Sequence, residues 1–180
     1  FFRHVAELQK KYADGRIIHN ALQTNGTLLD DDWGEFLGQN RFLIGLSIDG
    51  PAELHDWYRV DKKGEPTFGQ VMRGLAVLKK YGVEFNTLTV VNRQNSQRAM
   101  EVYEFLRQIG SQFLQFIPLV ERQAIVPLKV KGFDLMDPPE PGRPSSAPVT
   151  DWSVVAETYG KFLCTIFDRW VRQDVGQTYV

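Results

Sequence analysis

Apolar positions along this chain switch repeatedly between helical and strand spacing. Phe2, Val5 and Leu8 recur at helical intervals and Gly15 follows as a stop, so Phe1 to Tyr12 predicts a helix. RIIHNALQTNG then reads as extended up to Gly26, and Leu29 to Leu37 predicts a second helix whose acidic first turn, Asp30 to Asp32, suits the positive end of a helix dipole. RFLIGLSIDGP is a nearly unbroken apolar run, expected to be a strand buried on both faces and closed by Asp49, Gly50 and Pro51. After a polar loop, Ala52 to Pro66, Thr67 is the candidate N-cap of an amphipathic helix carrying Phe68, Val71, Met72, Leu75 and Leu78 and ending at Gly82. VEFNTLTVVN predicts the next strand. Ser96 is read as the cap of a helix with Ala99, Val102, Tyr103, Leu106 and Ile109 on one face, and Gly110 stops it before the strand FLQFIPLVE.

Single amphipathic helices between strands imply parallel pairing with right-handed crossovers, which leaves a doubly wound sheet or a barrel. In both, ligands bind beyond the carboxyl ends of the strands. The pattern breaks after Arg122. Residues 124–150 hold six of the nine prolines and are expected to form an irregular excursion, a surface loop or a substrate-contacting lid. From Asp151 a long helical segment resumes, with Val154, Val155, Tyr159, Phe162, Leu163, Ile166, Phe167 and Trp170 on a broad apolar face expected to cover the barrel. The organisation expected is therefore 1–123 barrel, 124–150 excursion, 151–180 packing helix and the start of a further segment. The helical pattern opens at Phe1 without a cap and the chain closes on the strand-like QTYV, so both ends read as internal cuts.

Composition narrows the partners. The length of 180 residues, with 43% hydrophobic and 24% charged residues, fits one domain with a real core. A formal net charge of -1 argues against a general nucleic-acid or anionic-membrane surface and for a smaller or more specific partner. With no membrane-length apolar run and no secretory pattern, a cytoplasmic location is expected. Cys164, the single cysteine, lies in KFLCTIF and is expected to be a buried, inert thiol. The three histidines, His4, His19 and His55, are scattered, so no metal site is expected.

Polar groups cluster at four strand ends: Gln23, Thr24 and Asn25; Ser47 and Asp49; Asn92 and Arg93; Gln115 and Glu121. Amides and hydroxyls there can orient a polar ligand, and Arg59 can hold a carboxylate by two parallel hydrogen bonds, which suits an amino-acid-like ligand. Each taken singly is also an ordinary turn residue or solvated charge, and Arg59 with Asp56 and Asp61 also reads as a surface ion-pair cluster. No nucleophile elbow, Walker loop or GxGxxG is present. Spacing by itself stops at an α/β protein with a polar rim.

A strand ending in SxDG, then a His-Asp pair, an arginine, a glycine and a Thr-Phe opening the next helix (Ser47, Asp49, Gly50, His55, Asp56, Arg59, Gly64, Thr67, Phe68) resembles the central signature of radical S-adenosylmethionine (SAM) enzymes with a C-terminal auxiliary-cluster domain. LQTNGTLLDDDW before it, with FNTLTVVNRQN and FLQFIPLVER after it, is similar more narrowly to anaerobic sulfatase-maturing enzymes, and the resemblance runs from Phe1 to Arg122. It implies a fold that is part of a partial TIM-type (β/α)6 barrel. There, a 4Fe-4S cluster cleaves SAM to a 5'-deoxyadenosyl radical, which removes a β-hydrogen from a cysteine or serine of a sulfatase polypeptide to give Cα-formylglycine. It further implies that Ser47 contacts SAM, that Arg59 lies near its carboxylate and that Val120 lines the pocket. The family's CxxxCxxC cluster motif and GGEP segment are expected ahead of Phe1, and the auxiliary-cluster cysteines and the general base after Val180. This segment alone is accordingly expected to be inactive, with no catalytic residue and no metal ligand of its own. Two other readings stand beside this one: a maturase acting on a different peptide, and a non-catalytic barrel segment that serves as a binding module.

Overall fold

A computed structural model describes residues 1–124, 135–136 and 147–180. Helices and strands alternate: α1 (Phe2–Tyr12), β1 (Asn20–Thr24), α2 (Asp31–Gln39), β2 (Phe42–Ser47), the one-turn α3 (Ala52–His55), α4 (Phe68–Lys80), β3 (Phe85–Val91), α5 (Ala99–Gln108) and β4 (Leu114–Pro118). A short antiparallel pair, β5 (Arg122–Gln123) with β6 (Leu135–Met136), and a later helix, α6 (Ala156–Gln173), follow among the described residues. The four long strands are all parallel and lie in the order β1-β2-β3-β4. A doubly wound sheet reverses its strand order at a switch point. Sequential order does not, so every crossover returns on the same side and the sheet is a segment of barrel wall. QTYV continues that progression: Tyr179 makes a parallel bridge to Phe113, and the Leu114 amide donates to the Tyr179 carbonyl at 2.8 Å.

The helices cover one face of the sheet. Leu46, Val91 and Leu114 pack with Leu54, Val71, Leu75, Val102, Tyr103 and Leu106, and Phe42 and Ile44 with Leu37 and Leu78. Full burial of a leucine-sized side chain contributes about 1.5–3 kcal/mol, so this layer carries most of the stability of the wall. Strand β2 was expected to be buried on both faces. Its residues instead alternate: Phe42, Ile44 and Leu46 are buried against helices, whereas Leu43, Gly45 and Ser47 are half-buried on the opposite, concave face. A barrel interior is lined by alternate residues of each strand, and the register puts Gln23, Gly45 and Asn86 in one row and Ser47, Leu88 and Gln115 in the next.

Local signals have mixed fates. The glycine stops hold, since Gly15, Gly82 and Gly110 all have positive φ. Asp30 caps α2 by accepting from the Trp33 amide at 3.0 Å. Thr67 occupies the N-cap position of α4 but makes no capping bond with its side chain. The cap comes from the preceding loop, where Asp56 Oδ1 accepts from the amides of Thr67 at 3.0 Å and Phe68 at 2.8 Å. Ser96 does not cap α5 either: it lies inside a 3-10 turn, Asn95–Gln97, and its hydroxyl donates to the Arg93 carbonyl. Cys164 is exposed, correcting the expectation of a buried thiol. The reason lies in the stripe that α6 turns inward: Phe162 and Ile166 are buried, with Tyr159 and Trp170 packed beside them, while Val155, Leu163 and Phe167 face outward. Of the expected excursion, 125–134 and 137–146 lie outside the described residues. An isolated antiparallel bridge pairs Arg122 with Val149 at the flanks of that segment.

Candidate functional site

The carboxyl ends of β1 to β4 form the rim, and each is shaped by a side chain that satisfies its own backbone. After β1, Thr24 Oγ1 accepts from the Gly26 amide, and Asn25 Oδ1 accepts from the amide and hydroxyl of Thr27. Thr24 Oγ1 and Asn25 Oδ1 are thus engaged as acceptors in the turn. After β3, Asn92 Oδ1 accepts from the amides of Gln94 and Asn95, and Asn95 Oδ1 accepts in return from the Asn92 amide. The buried Asn95 then donates through Nδ2 to the carbonyls of Asp49 at 3.2 Å and Val90 at 2.9 Å, joining the β3 rim to the β2 rim.

Asp49 is the hub of the β2 end. Its side chain is 4% exposed and accepts two bonds from Arg59: Nε to Oδ2 at 2.6 Å and Nη2 to Oδ1 at 3.1 Å. Oδ1 also accepts from the Val90 amide at 2.8 Å. Arg59 therefore pairs with neither Asp56, which caps α4, nor Asp61, whose Oδ1 closes a turn by accepting from the amides of Lys63 and Glu65. A bidentate, partly buried Arg–carboxylate pair is among the strong hydrogen-bonded contacts of proteins, which sets this arginine apart from a solvated surface charge.

Beneath that pair lies His55, fully buried. Its Nδ1 accepts from the Asp49 amide at 3.3 Å, and its Nε2 lies 3.2 Å from the Thr67 hydroxyl. The Thr67 hydroxyl spends its proton on the Arg59 carbonyl at 2.6 Å, which can only accept. Thr67 Oγ1 must then accept from His55, so the imidazole is the neutral, Nε2-protonated form. Burial pushes the histidine pKa down; the nearby Asp49 charge opposes this, while Arg59 reinforces it. One chain of donors and acceptors thus links Asp49, His55, Thr67 and Arg59.

Among the residues singled out from the sequence, Ser47 ends β2 on the concave face, opposite Leu88. Val120 lies just past β4 and is 57% exposed; its neighbour Leu119 donates to the Val91 carbonyl. Ser47, Asp49, Arg59 and Val120 are all at the same end of the sheet. Arg93 and Glu121 are held by a segment that the sequence did not mark as part of the rim. The Arg93 amide donates to the Trp152 carbonyl, Arg93 Nε donates to the Ser153 carbonyl, and the Trp152 indole donates to the Glu121 carboxylate. Ser153 adds a hydroxyl that accepts from the Glu121 amide at 2.9 Å.

Among the described residues no group of His, Cys, Asp and Glu can hold a metal ion, and no helix is long and apolar enough to cross a membrane. The rim carries an arginine anchored by Asp49, a serine at the end of β2 on the concave face and an exposed valine just past β4.

The sequence profile described as the radical SAM superfamily matches residues 1–106, more than half of the chain. The chain belongs to the radical SAM superfamily. This radical SAM chain is 47% identical over 180 residues to a serine-type anaerobic sulfatase-maturating enzyme of Bacteroides thetaiotaomicron, covering 100% of the chain and 42% of that protein. It is 38% identical over 173 residues to a cysteine-type anaerobic sulfatase-maturating enzyme of Clostridium perfringens, covering 94% of the chain and 41% of that protein. It also superposes on a solved structure described as native anSMEcpe with bound AdoMet and Cp18Cys peptide, with a TM-score of 0.80 and 36% identity, over 100% of the chain and 45% of that one. The chain thus spans less than half the length of these relatives.

Proposed function

We propose that this chain supplies one wall of the SAM site in a radical SAM protein-modifying oxidoreductase, and that the reaction is conversion of a cysteine or serine in a sulfatase polypeptide to Cα-formylglycine. The observation that carries the site reading is the state of Arg59. Its Nε and Nη2 face Asp49, its side chain is 24% exposed, and the opposite edge of the guanidinium is left for a second carboxylate. The amino-acid end of SAM provides such a carboxylate. Ser47 offers a hydroxyl from the concave face, and Val120 an apolar contact at the β4 end. The choice of reaction is supported by similarity to both serine-type and cysteine-type sulfatase-maturating enzymes.

Held by Arg59, Ser47 and Val120 on this wall, with a 4Fe-4S cluster beside it, SAM would supply radical chemistry for removal of a substrate hydrogen. The whole sequence has one cysteine, exposed on α6, so this chain's share of the work is to orient the cofactor. Its rigid rim limits the freedom of the ligand's carboxylate end, and the four-strand wall screens that end from one side.

The test uses the full-length protein, reconstituted anaerobically with iron and sulfide, with and without a sulfatase peptide containing cysteine or serine. Peptide-dependent 5'-deoxyadenosine together with formylglycine is expected; cleavage without formylglycine points to a maturase of another peptide. Arg59→Ala is expected to weaken SAM binding by roughly 2–5 kcal/mol, read by calorimetry, and an unchanged affinity would reject the role given to Arg59.

A further inference from the structure

An arginine that binds a ligand carboxylate normally spends conformational freedom on doing so, because its side chain has many rotamers and two usable hydrogen-bonding edges. Arg59 is fixed before any ligand arrives. Its Nε–Nη2 edge is held by Asp49 in two bonds of 2.6 and 3.1 Å. Its backbone is held as well: its amide donates to the His55 carbonyl at 3.0 Å, and its own carbonyl accepts the Thr67 hydroxyl at 2.6 Å. Asp49 in turn is fixed by the Val90 amide on its carboxylate and by Asn95 on its carbonyl. The guanidinium is thereby referenced to the ends of two neighbouring strands, β2 and β3, rather than to its own loop alone. A guanidinium has five N–H donors. After Asp49 has taken two, Nη1 and the second hydrogen of Nη2 remain side by side on the outer edge, which is the geometry for a second, end-on bidentate carboxylate.

We propose that Asp49 is the positioning residue of this site: it does not touch the ligand, but it fixes which edge of Arg59 the ligand meets and where. The inference rests on the reading of Arg59 as the holder of the SAM carboxylate. It predicts a carboxylate–guanidinium–carboxylate arrangement in which the inner partner is the protein's own. It also accounts for the buried His55. A neutral imidazole that accepts from the Asp49 amide and donates to Thr67 ties both ends of the loop 49–67 without adding a third charge beside the pair.

A pair with a purely structural role would affect every ligand alike, whereas a positioning role is specific to the ligand's carboxylate. The experiment therefore compares two ligands, SAM and decarboxylated SAM, which keeps the sulfonium and adenosine but lacks the carboxylate. Both are titrated by calorimetry into the full-length reconstituted protein and its variants. In Asp49→Asn the side-chain oxygen can still accept from the Val90 amide, while the charge facing Arg59 is lost. That variant is expected to bind SAM about tenfold to a hundredfold more weakly and decarboxylated SAM within about twofold of the parent. Asp49→Glu, which keeps the charge but displaces it by one methylene, is expected to show the same selective loss and reports independently if Asp49→Asn does not fold. Asp49→Asn binding SAM like the parent, or losing both ligands equally, would overturn the proposal. If Arg59→Ala weakens SAM binding and Asp49→Asn does not, the positioning role alone fails. If Arg59→Ala itself leaves SAM affinity unchanged, the underlying reading of Arg59 fails and takes the positioning role with it.

Discussion

His55 shows how a single buried side chain reports on its whole surroundings. Its Nδ1 accepts from a backbone amide that cannot move without shifting the end of β2, so an added proton there meets another proton. Burial adds to this, and the histidine titrates below its ordinary value of 6.5. The sign follows: the unfolded chain binds the proton more readily than the native one, so neutral His55 contributes stability that is complete above pH 6.5 and is lost as pH falls through the lower native value. Urea denaturation followed from about pH 7 to about pH 5 should show a falling midpoint, and His55→Gln should flatten that slope; an equal slope in the variant would dismiss the account. At this scale the sequence was legible in residue type and blind to partner. Arg59 with Asp56 and Asp61 stood out as an ion-pair cluster, but loop residues choose partners by three-dimensional proximity. The ion pair therefore joined Arg59 to Asp49, ten residues away, and Asp56 became a helix cap.

Among the elements, the junction of α5 with the end of α6 holds a charge network of five side chains: Tyr103, Glu104, Arg107, Arg169 and Asp174. The buried Tyr103 hydroxyl donates to Asp174 at 2.9 Å, and Arg107 pairs with the same carboxylate at 2.8 Å. Arg169 reaches it at 3.5 Å and Glu104 at 3.1 Å. Burial, with the Asp174 hydrogen bond adding to it, pushes the tyrosine pKa up to about 12, so the phenol remains a donor under ordinary conditions. Tyr103→Phe removes a donor from a buried carboxylate and is expected to cost about 1–3 kcal/mol of stability in chemical denaturation of the full-length protein. A loss below about 0.5 kcal/mol would mean that the arginines suffice alone. Periodicity placed Tyr103 on the core face of its helix and was right, yet could not supply Asp174, which is 71 residues further along. A similar limit applies to Gly74. In sequence it is one small residue in a helix, but a Cβ there would run into the carbonyl oxygen of Gly26, so it sets how closely α4 approaches the turn after β1.

For the whole molecule, the uncovered surfaces matter most. The concave face carries Ile117 in an exposed position, and α6 presents Leu163, Phe167 and Val171 outward, followed by Val175. Apolar surface of this kind drives association when nothing else covers it. The 180-residue chain produced by itself is expected to self-associate in sedimentation velocity, and Leu163→Lys with Phe167→Glu should shift it towards monomer. A monodisperse monomer for the unaltered chain would show that these faces are tolerated in water.

The sequence by itself determined the alternation of parallel strands and helices, the glycine stops, the inward stripes of α4 and α5 and the end of the sheet where polar side chains gather. These follow from periodicity and from the backbone limits of glycine, which act over a few residues and are written locally. In α1, by contrast, Leu8 of the expected stripe is exposed and Ala6 is buried. Periodicity left barrel wall and doubly wound sheet open; the family resemblance implied the barrel, and the strand order, which periodicity does not encode, bears that out. Only the tertiary structure decided which face of β2 is open, that α6 buries Phe162 and Ile166 and exposes Cys164, and that Asp49 holds Arg59. Each of those is a choice among partners distant in sequence, settled by which arrangement satisfies buried charges and covers apolar surface at the same time.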